Sequence, residues 1–140
     1  MTVDIVVLDA ETGKQLWHKD AVLDLHHATQ STLVANGNIY LVTSTAIEAF
    51  DAKTGERNWQ ASMDEERPSL TASDKLVIAA SGDAGKVVAL NALDGTRLWE
   101  APMPRSDEPQ FKTDRKALPA ILGGVVYIAA WGRLERVTGD

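Results

Sequence analysis

The order of apolar and turn-forming residues along the chain predicts short β-strands joined by tight turns. Residues 33–35 and 39–43 are two apolar runs, and Asn36-Gly37-Asn38 separates them. An Asn-Gly pair supplies the positive φ angles that a two-residue hairpin turn requires. The same order of run, turn and run recurs within residues 70–80 and 121–129. The pattern therefore predicts three antiparallel hairpins.

Each hairpin is followed by a third strand-like run and, in the first two, by a fourth run that contains a tryptophan. The third runs lie at residues 46–50, 87–90 and 133–136, and residues 5–8 are their counterpart at the start of the chain. Strand-like runs without a long helical period predict an all-β chain. Trp59 and Trp99 mark these two fourth runs, and Trp17 marks the corresponding run that follows residues 5–8.

The chain also repeats itself at a fixed period. Three segments align with one another, at residues 7–17, 49–59 and 89–99, and their glycines recur after 42 and then 40 residues. This period is typical of propeller blades, in which four short strands form one repeat. A partial fourth copy at residues 133–139 keeps an acidic residue four positions before a glycine. The repeat predicts a β-propeller architecture.

The repeat divides the chain into successive blades, whose strands we name a to d from the propeller axis outwards. Residues 1–30 are expected to form strands c and d, residues 31–67 and 68–115 two full blades, and residues 116–140 strands a to c. We therefore expect residues 1–140 to be a single propeller segment of about three blades. It would be an open arc or a fragment of a seven- or eight-bladed propeller that begins and ends within a blade.

The residues that recur have chemical reasons to do so. An Asp or Asn at a tight turn accepts bonds from nearby backbone N–H groups, and Thr does this more weakly. Glycine adopts left-handed backbone at low cost, and one tryptophan per blade fills the wedge between neighbouring sheets. We expect a positive φ at Gly55 and burial of Trp59 and Trp99. The candidate structural residues are Asp9, Thr12, Gly13, Trp17, Asp51, Thr54, Gly55, Trp59, Asn91, Asp94, Gly95 and Trp99.

The pattern A-x-D-x-x-T-G-x-x-x-W, which is complete at residues 49–59, resembles the tryptophan-docking repeat of pyrroloquinoline-quinone-like (PQQ-like) propellers. The resemblance covers nearly the whole chain and implies four-stranded antiparallel blades. Similar repeats occur in quinone-dependent alcohol dehydrogenases, in an outer-membrane assembly lipoprotein and in sensor domains without a cofactor, so the fold alone does not choose a function. A periplasmic or extracellular location is implied by the resemblance only.

Composition narrows the classes of partner. The chain has 140 residues, a formal net charge of -6 and no cysteine. Lys and Arg are scattered singly, so we expect no nucleic-acid partner, which would require a basic stripe. The absence of cysteine excludes disulfides, thiolate catalysis and cysteine-ligated zinc. The longest apolar runs contain Pro or Gly, and we expect neither a signal peptide nor a membrane span in this stretch.

Five segments could carry chemistry, and most have a simpler interpretation. His26-His27 lacks a third metal ligand at a recognisable spacing and is interpreted as a polar loop. Residues 81–86 lack the glycine spacing of a phosphate loop and are expected to form a hairpin turn. The charges at 64–67 fit a solvated linker, and Trp131 fits ordinary packing. The long polar connection at 102–116 is the best candidate for contact with a partner.

The leading functional expectation is a non-catalytic propeller segment whose interblade-loop face binds a protein or a small ligand. One alternative is a fragment of a quinone-dependent dehydrogenase, in which case pyrroloquinoline quinone and calcium would be cofactors. No residue of this chain is assigned to catalysis, to the quinone or to a metal. A second alternative is a self-assembling partial propeller in which strands of two copies complete a blade. The expected partners are the remaining blades of a larger propeller or another copy of the chain.

Overall fold

A computed structural model of the chain describes residues 2–22, 32–43, 46–63, 68–82, 85–103, 117–130 and 133–138. Every regular element within these ranges is a β-strand, which confirms the all-β prediction. The strands are β1 (Thr2–Leu8), β2 (Gln15–Val22), β3 (Thr32–Ala35), β4 (Asn38–Val42), β5 (Ala46–Asp51), β6 (Arg57–Ser62), β7 (Ser69–Ala72), β8 (Leu76–Ser81), β9 (Lys86–Asn91), β10 (Arg97–Pro102), β11 (Ala117–Leu122), β12 (Val125–Ala130) and β13 (Arg133–Thr138).

The strands form four antiparallel sheets that follow one another along the chain. Sheet 1 contains β1 and β2, sheet 2 contains β3 to β6, sheet 3 contains β7 to β10, and sheet 4 contains β11 to β13. Strands that are hydrogen-bonded neighbours are also neighbours in sequence, as in the blades of a propeller. Sheets 2 and 3 each hold strands a to d, sheet 1 holds c and d, and sheet 4 holds a to c among the described residues.

Three apolar clusters fill the spaces between consecutive sheets. We call the side of a sheet that faces the next sheet along the chain its leading face, and the opposite side its trailing face. In sheet 2, Tyr40 and Ala49 lie on the leading face, whereas Ile39 and Phe50 lie on the trailing face. Successive side chains of a strand point to opposite faces, so each inner strand contributes to two clusters. The core is therefore a series of interfaces between sheets.

The central strands of sheet 3 show why the sequence contains continuous apolar runs. In β8, Val77 and Ala79 pack with sheet 2, whereas Ile78 and Ala80 pack with sheet 4. A strand that is covered on both faces needs apolar residues at every position and loses the alternation of a half-exposed strand. The runs that predicted strands here are thus the result of burial on two sides.

The a–b hairpins close with different turn chemistry. Asn36 and Gly37 both have positive φ, at 55° and 72°, as the Asn-Gly pair predicts. Gly123 and Gly124 have φ values of 57° and 75°. In sheet 3 the hydroxyl oxygen of Ser73 instead accepts the N–H groups of the residues two and three positions later, at 3.3 and 3.1 Å. Three different sequences therefore produce the same strand–turn–strand unit.

Connections lie at two opposite ends of the sheets. The a–b and c–d turns share one end, which we call the turn end. The strand ends that lead into the b–c turns and into the d–a connections share the other, which we call the loop end. The segment that begins at Ser81 and ends at Lys86 is a b–c turn, because these residues pair as the ends of β8 and β9. This confirms the hairpin predicted at residues 81–86. His26-His27, residues 64–67, residues 104–116 and Trp131 lie outside the described residues.

The structure corrects the alignment of the partial fourth copy. In sheets 2 and 3 the first residue after the a–b turn pairs with Asp51 or Asn91. In sheet 4 the corresponding residue, Val125, pairs with Thr138, so Glu135 lies three positions too early to be the equivalent of Asp51. Pairing continues without interruption between β12 and β13, and strand register follows this pairing and not the acid-to-glycine spacing. The alignment of Glu135 with Asp51 is therefore wrong.

Candidate functional site

The c–d turns are built by a carboxylate that binds the backbone of its own turn. One oxygen of Asp51 accepts the N–H groups of Lys53 and Thr54 at 2.8 and 2.9 Å. Asp9 accepts the N–H of Thr12 at 2.8 Å and its hydroxyl at 2.9 Å. The backbone carbonyl of each Asp also accepts the N–H of the repeated glycine, at 2.8 Å for Asp51 and 2.9 Å for Asp9. These bonds satisfy backbone N–H groups of the turn, as expected for Asx turns.

Hydrogen bonding also affects the acidity of these carboxyl groups. The N–H of Thr12 lowers the pKa of Asp9, and the N–H of Thr54 lowers the pKa of Asp51. In the third copy the N–H of Thr96 has the same effect on the pKa of Asp94. Bonds to the charged form favour ionisation. The three carboxylates are therefore arranged to remain charged, which suits a structural role and not the exchange of protons near neutral pH.

The third copy makes two of these turn bonds with different residues. Asn91, which stands in place of Asp51, accepts the N–H of Leu93 at 2.9 Å. Asp94, which stands in place of Thr54, accepts the N–H of Thr96 at 2.9 Å. The Thr54 hydroxyl makes the equivalent bond to the residue two positions on, at 3.2 Å. The turn therefore keeps a backbone bond at each of these two positions although both residues have changed.

The repeated glycines meet two requirements at once. Gly55 and Gly95 both have a φ of 75°, which confirms the positive φ predicted for Gly55. A Cβ at Gly55 would lie 3.1 Å from a ring carbon of Trp17, and a Cβ at Gly95 would lie 2.5 Å from a ring carbon of Trp59. The glycine of one blade is thus the platform on which the tryptophan of the preceding blade rests. Sequence reasoning identified the backbone requirement and missed the platform.

Each tryptophan ring is also held by a hydrogen bond to the next blade. The indole N–H of Trp17 donates to the carbonyl of Ala52 at 2.9 Å, and that of Trp59 donates to the carbonyl of Ala92 at 3.0 Å. Trp59 is 7% exposed, which confirms its predicted burial. Trp99 is half-buried, and its buried indole N–H has no acceptor among the described residues.

The alanine whose carbonyl accepts the indole N–H also connects the two turns at the turn end of its own blade. The N–H of Ala52 donates to the carbonyl of Gly37 at 2.8 Å, and the N–H of Ala92 donates to that of Lys75 at 2.9 Å. The same alanine therefore joins the c–d turn, the a–b turn and the neighbouring tryptophan. Sequence reasoning did not select it, although an alanine directly follows the acid or amide in all three copies, at Ala10 as well.

Charged groups enter the interface between sheets 1 and 2. The Lys19 ammonium donates to the Gly55 carbonyl at 2.6 Å and lies 5.6 Å from the centre of the Phe50 ring. Glu48 is buried, and one of its oxygens pairs with Arg57 at 3.0 Å. Its second oxygen has no partner among the described residues. This interface thus contains a buried carboxylate that is only half satisfied.

The described residues offer no ligand set for the calcium ion of a quinone-dependent dehydrogenase. Calcium requires six or more oxygen ligands, of which several are carboxylates. Within the described ranges no three His, Asp or Glu side chains lie close enough to hold a metal ion. The repeat carboxylates Asp9, Asp51 and Asp94 lie in three different sheets and already bind their own turns. These three carboxylates therefore do not form a shared metal site.

The repeat geometry agrees with a comparison with known families. Residues 2–135 match the family model PQQ_2, described as outer membrane protein assembly factor BamB. The chain belongs to this PQQ-like repeat family. Among solved structures, BamB from Moraxella catarrhalis matches the PQQ-like chain with a TM-score of 0.68 at 18% identity, over 92% of this chain and 41% of that one. The match confirms the propeller-type fold.

Two further proteins resemble the PQQ-like chain. The computationally designed Ika8 protein matches with a TM-score of 0.72 at 17% identity, over 98% of this chain and 40% of that one. The serine/threonine-protein kinase AfsK of Streptomyces griseus is 28% identical over 131 residues, which are 86% of this chain and 16% of the kinase. The chain spans less than half the length of each of these three proteins. The part of the chain that the structure describes contains no helix able to cross a membrane.

Proposed function

We propose that this chain is a non-catalytic PQQ-like repeat module, a scaffold that binds a protein at its loop end. The observation that carries the proposal is how the repeated side chains are used. Asp9, Asp51 and Asp94 accept bonds from their own turns, and Trp17 and Trp59 donate to the following blade. Groups that are engaged in this way are not available to bind a substrate or to move protons.

The range of proteins that resemble the chain supports the same proposal. One is named an outer membrane protein assembly factor and another a serine/threonine-protein kinase, of which the matching region is 16%. A repeat found in proteins with such different named roles is better explained as a shared binding scaffold than as a shared catalytic centre. By analogy with the assembly factor, we propose a protein as the ligand.

The connection between sheets 3 and 4 is the proposed contact region. Its two ends are fixed, because Met103 and Ala117 are buried in the cluster between these sheets and Met103 donates its N–H to the Gly85 carbonyl at 2.7 Å. Between them the sequence of residues 104–116 is polar and carries both signs of charge. A charged segment that starts and ends on a rigid base suits recognition of a polar protein surface.

Photocrosslinking at two positions tests the proposed contact region. A photoreactive phenylalanine analogue would replace Phe111 in one variant and Leu93, an exposed residue of the turn end, in a matched control. We expect a discrete protein adduct from position 111 in the native cells and none from position 93. Excess purified chain should compete for the adduct, whereas a chain with 104–116 replaced by Gly and Ser should not. Equal adducts at both positions, or none at 111, would contradict the proposal.

A titration with quinone tests the catalytic alternative directly. Pyrroloquinoline quinone would be added to the chain in the presence of calcium, with binding followed by calorimetry and turnover by reduction of a dye with a primary alcohol as substrate. We expect no saturable binding at micromolar concentration and no dye reduction, because the described residues offer no metal-ligand set. Saturable binding together with dye reduction would replace the scaffold proposal by the dehydrogenase alternative.

A further inference from the structure

The a–b turns of two neighbouring blades touch at the turn end. The side-chain amide nitrogen of Asn36, in the turn of sheet 2, donates to the backbone carbonyl of Ser73, in the turn of sheet 3. Sheets 2 and 3 both contain four strands, so this contact joins two full blades. Glycine would supply the same left-handed backbone, as Gly123 does in sheet 4 with a φ of 57°. The asparagine therefore adds a bond between blades that a glycine could not make.

The Asn36-Gly37 turn is also bonded to the rest of its own blade. The Gly37 carbonyl accepts the N–H of Ala52 at 2.8 Å, and the Ala52 carbonyl accepts the indole N–H of Trp17. On the other side of the contact, the Ser73 hydroxyl accepts two N–H groups of its own turn. The turn of sheet 2 thus lies in a series of hydrogen bonds that runs from sheet 1 to sheet 3.

The same two residues form the dipeptide in which an asparagine most readily loses ammonia. The backbone nitrogen of Gly37 can attack the side-chain carbonyl carbon of Asn36, since glycine has no Cβ to shield it. A bond forms between this nitrogen and Cγ, the bond from Cγ to Nδ2 breaks, and the Gly37 proton leaves on ammonia. Water then opens the ring at either carbonyl, which yields aspartate or isoaspartate. The other asparagines of the chain precede larger residues and are therefore less reactive; they are Asn38, Asn58 and Asn91.

Two restraints act against this reaction in the folded chain. Attack requires the Asn36 carbonyl carbon to align with the Gly37 nitrogen. The bond to the Ser73 carbonyl fixes the position of the amide, and the pairing of Ala35 with Asn38 restrains the backbone on both sides of the turn. Both turn residues are exposed, so water can open the ring once it has formed. The rate of ring closure therefore depends on how often the contact with sheet 3 opens.

We propose that Asn36 is a deamidation site that the contact between sheets 2 and 3 protects, and that its conversion prevents this contact from forming again. Aspartate cannot donate to the Ser73 carbonyl, because an ionised carboxylate only accepts hydrogen bonds. Isoaspartate also adds one carbon to the main chain of a two-residue turn, whose length sets the strand register. Conversion is therefore a permanent record that the two turns have separated. The proposal concerns the turn end and is independent of the proposed ligand at the loop end.

A comparison of the folded and the unfolded chain tests the protection. Both would be kept in mildly alkaline buffer, one of them in guanidinium chloride, and peptide mapping by mass spectrometry would follow aspartate and isoaspartate at every asparagine. We expect conversion at Asn36 ahead of Asn38, Asn58 and Asn91 in both states, and slower conversion of Asn36 in the folded chain. Equal rates at Asn36 in the two states would show that the contact does not hold the amide. No preference for Asn36 in the unfolded chain would remove the site itself.

Two matched hydroxyl substitutions separate the contact from overall stability. Ser73→Ala removes the hydroxyl that caps the turn presenting its carbonyl to Asn36. Thr43→Ala removes a similar hydroxyl, which accepts the Ala46 N–H at 3.0 Å, at the loop end of sheet 2. Ser73→Ala should accelerate conversion of Asn36 about threefold, as expected for a contact weakened by one hydrogen bond, whereas Thr43→Ala should leave the rate unchanged. Equal acceleration in both variants, or none in Ser73→Ala, would contradict protection by the contact. Circular dichroism would verify that both remain folded.

Isolation of the converted chain tests the consequence. Conversion adds a negative charge, so ion exchange separates the converted chain from its parent. Hydrogen exchange should become faster at the amide of Ala52, which donates to Gly37, and stay unchanged at the amide of Ala46 at the opposite end of the sheet. Asn36→Gly, which can neither react nor donate to Ser73, should keep protection at Ala52 because its turn has the normal length. Full protection of Ala52 in the converted chain would overturn the proposed loss of the turn.

Discussion

The interface between sheets 2 and 3 and the interface between sheets 1 and 2 use the same contact in different surroundings. In both, an indole N–H donates to an alanine carbonyl and the ring rests on a glycine. Around Trp59 the buried hydrophobic cluster includes Tyr40, whose ring centre lies 5.8 Å from that of Trp59, and the Arg97 guanidinium reaches this cluster only at its margin, 4.0 Å from the Met63 sulfur. Around Trp17 the interface includes Lys19 and the buried Glu48.

The comparison teaches that the repeat motif determines the geometry and the neighbouring strands determine the burial. Four described strands lie on each side of the contact made by Trp59, whereas on the trailing side of sheet 2 the described strands are β1 and β2. Val34 of β3 points to that side and is exposed. The same motif therefore contributes more to stability at the interface between sheets 2 and 3.

Removal of the two tryptophans is the strongest test of this difference. Trp59→Ala should lower the free energy of unfolding by about 3–5 kcal/mol, as expected for a large aromatic side chain in a core. Trp17→Ala should cost about 2 kcal/mol, because the ring is only half-buried and less apolar surface returns to water. Urea unfolding of both variants measures the difference. Equal losses would show that burial does not distinguish the two interfaces.

A glycine that carries a tryptophan ring should tolerate substitution less well than a glycine that does not. Gly95→Ala should destabilise the chain by about 3 kcal/mol, because the added methyl group collides with the Trp59 ring in addition to straining the backbone. Gly13→Ala should cost only about 1 kcal/mol, since its φ is similar but no ring lies above it. Combining Gly95→Ala with Trp59→Ala should remove most of the extra cost. Strictly additive losses in that double variant would argue against the platform contact.

Replacing the buried Glu48 carboxylate should stabilise the chain, whereas the substitutions above destabilise it. Val88 holds the place of Glu48 in the following blade. Glu48→Val should raise the free energy of unfolding by about 1 kcal/mol, because a half-satisfied buried carboxylate is replaced by apolar packing and Arg57 returns to solvent. Glu56→Val, at an exposed site, should change it by less than about 0.5 kcal/mol. A clear loss in Glu48→Val would indicate that the ion pair with Arg57 stabilises this interface.

Acid should weaken the c–d turns to a small extent. Hydrogen bonds hold the pKa of Asp51 below its value in the unfolded chain, which is about 3.9 for Asp. Its contribution to stability is therefore fully present above that value and is lost as the pH falls through the lower pKa of the folded state. Asp51→Asn, which copies the natural Asn91, should make the loss of stability below about pH 4 shallower. An unchanged acid limb would contradict the role of this carboxylate.

Local features of the sequence predicted the strands and turns, because those features act over a few residues. The Asn36-Gly37 turn, the double-sided apolar run of β8 and the positive φ at Gly55 all follow from such local rules. The acceptor of the Trp17 indole could not be predicted in this way, since Ala52 lies 35 positions later in the chain. The pairing of Thr138 with Val125 depends on the whole length of two strands, so similarity to a short motif misplaced it.

The separation between each tryptophan and its alanine also has a consequence for synthesis on the ribosome. The Trp17 ring cannot find its acceptor until at least 35 further residues have been added. At elongation rates of about 5–20 residues per second, that interval lasts about 2–7 seconds. Each new blade thus presents an uncovered indole for a few seconds before the following blade arrives. A nascent chain that pauses after β2 would expose this ring for longer, and such a pause is the moment at which a chaperone would find a bare aromatic side chain to bind.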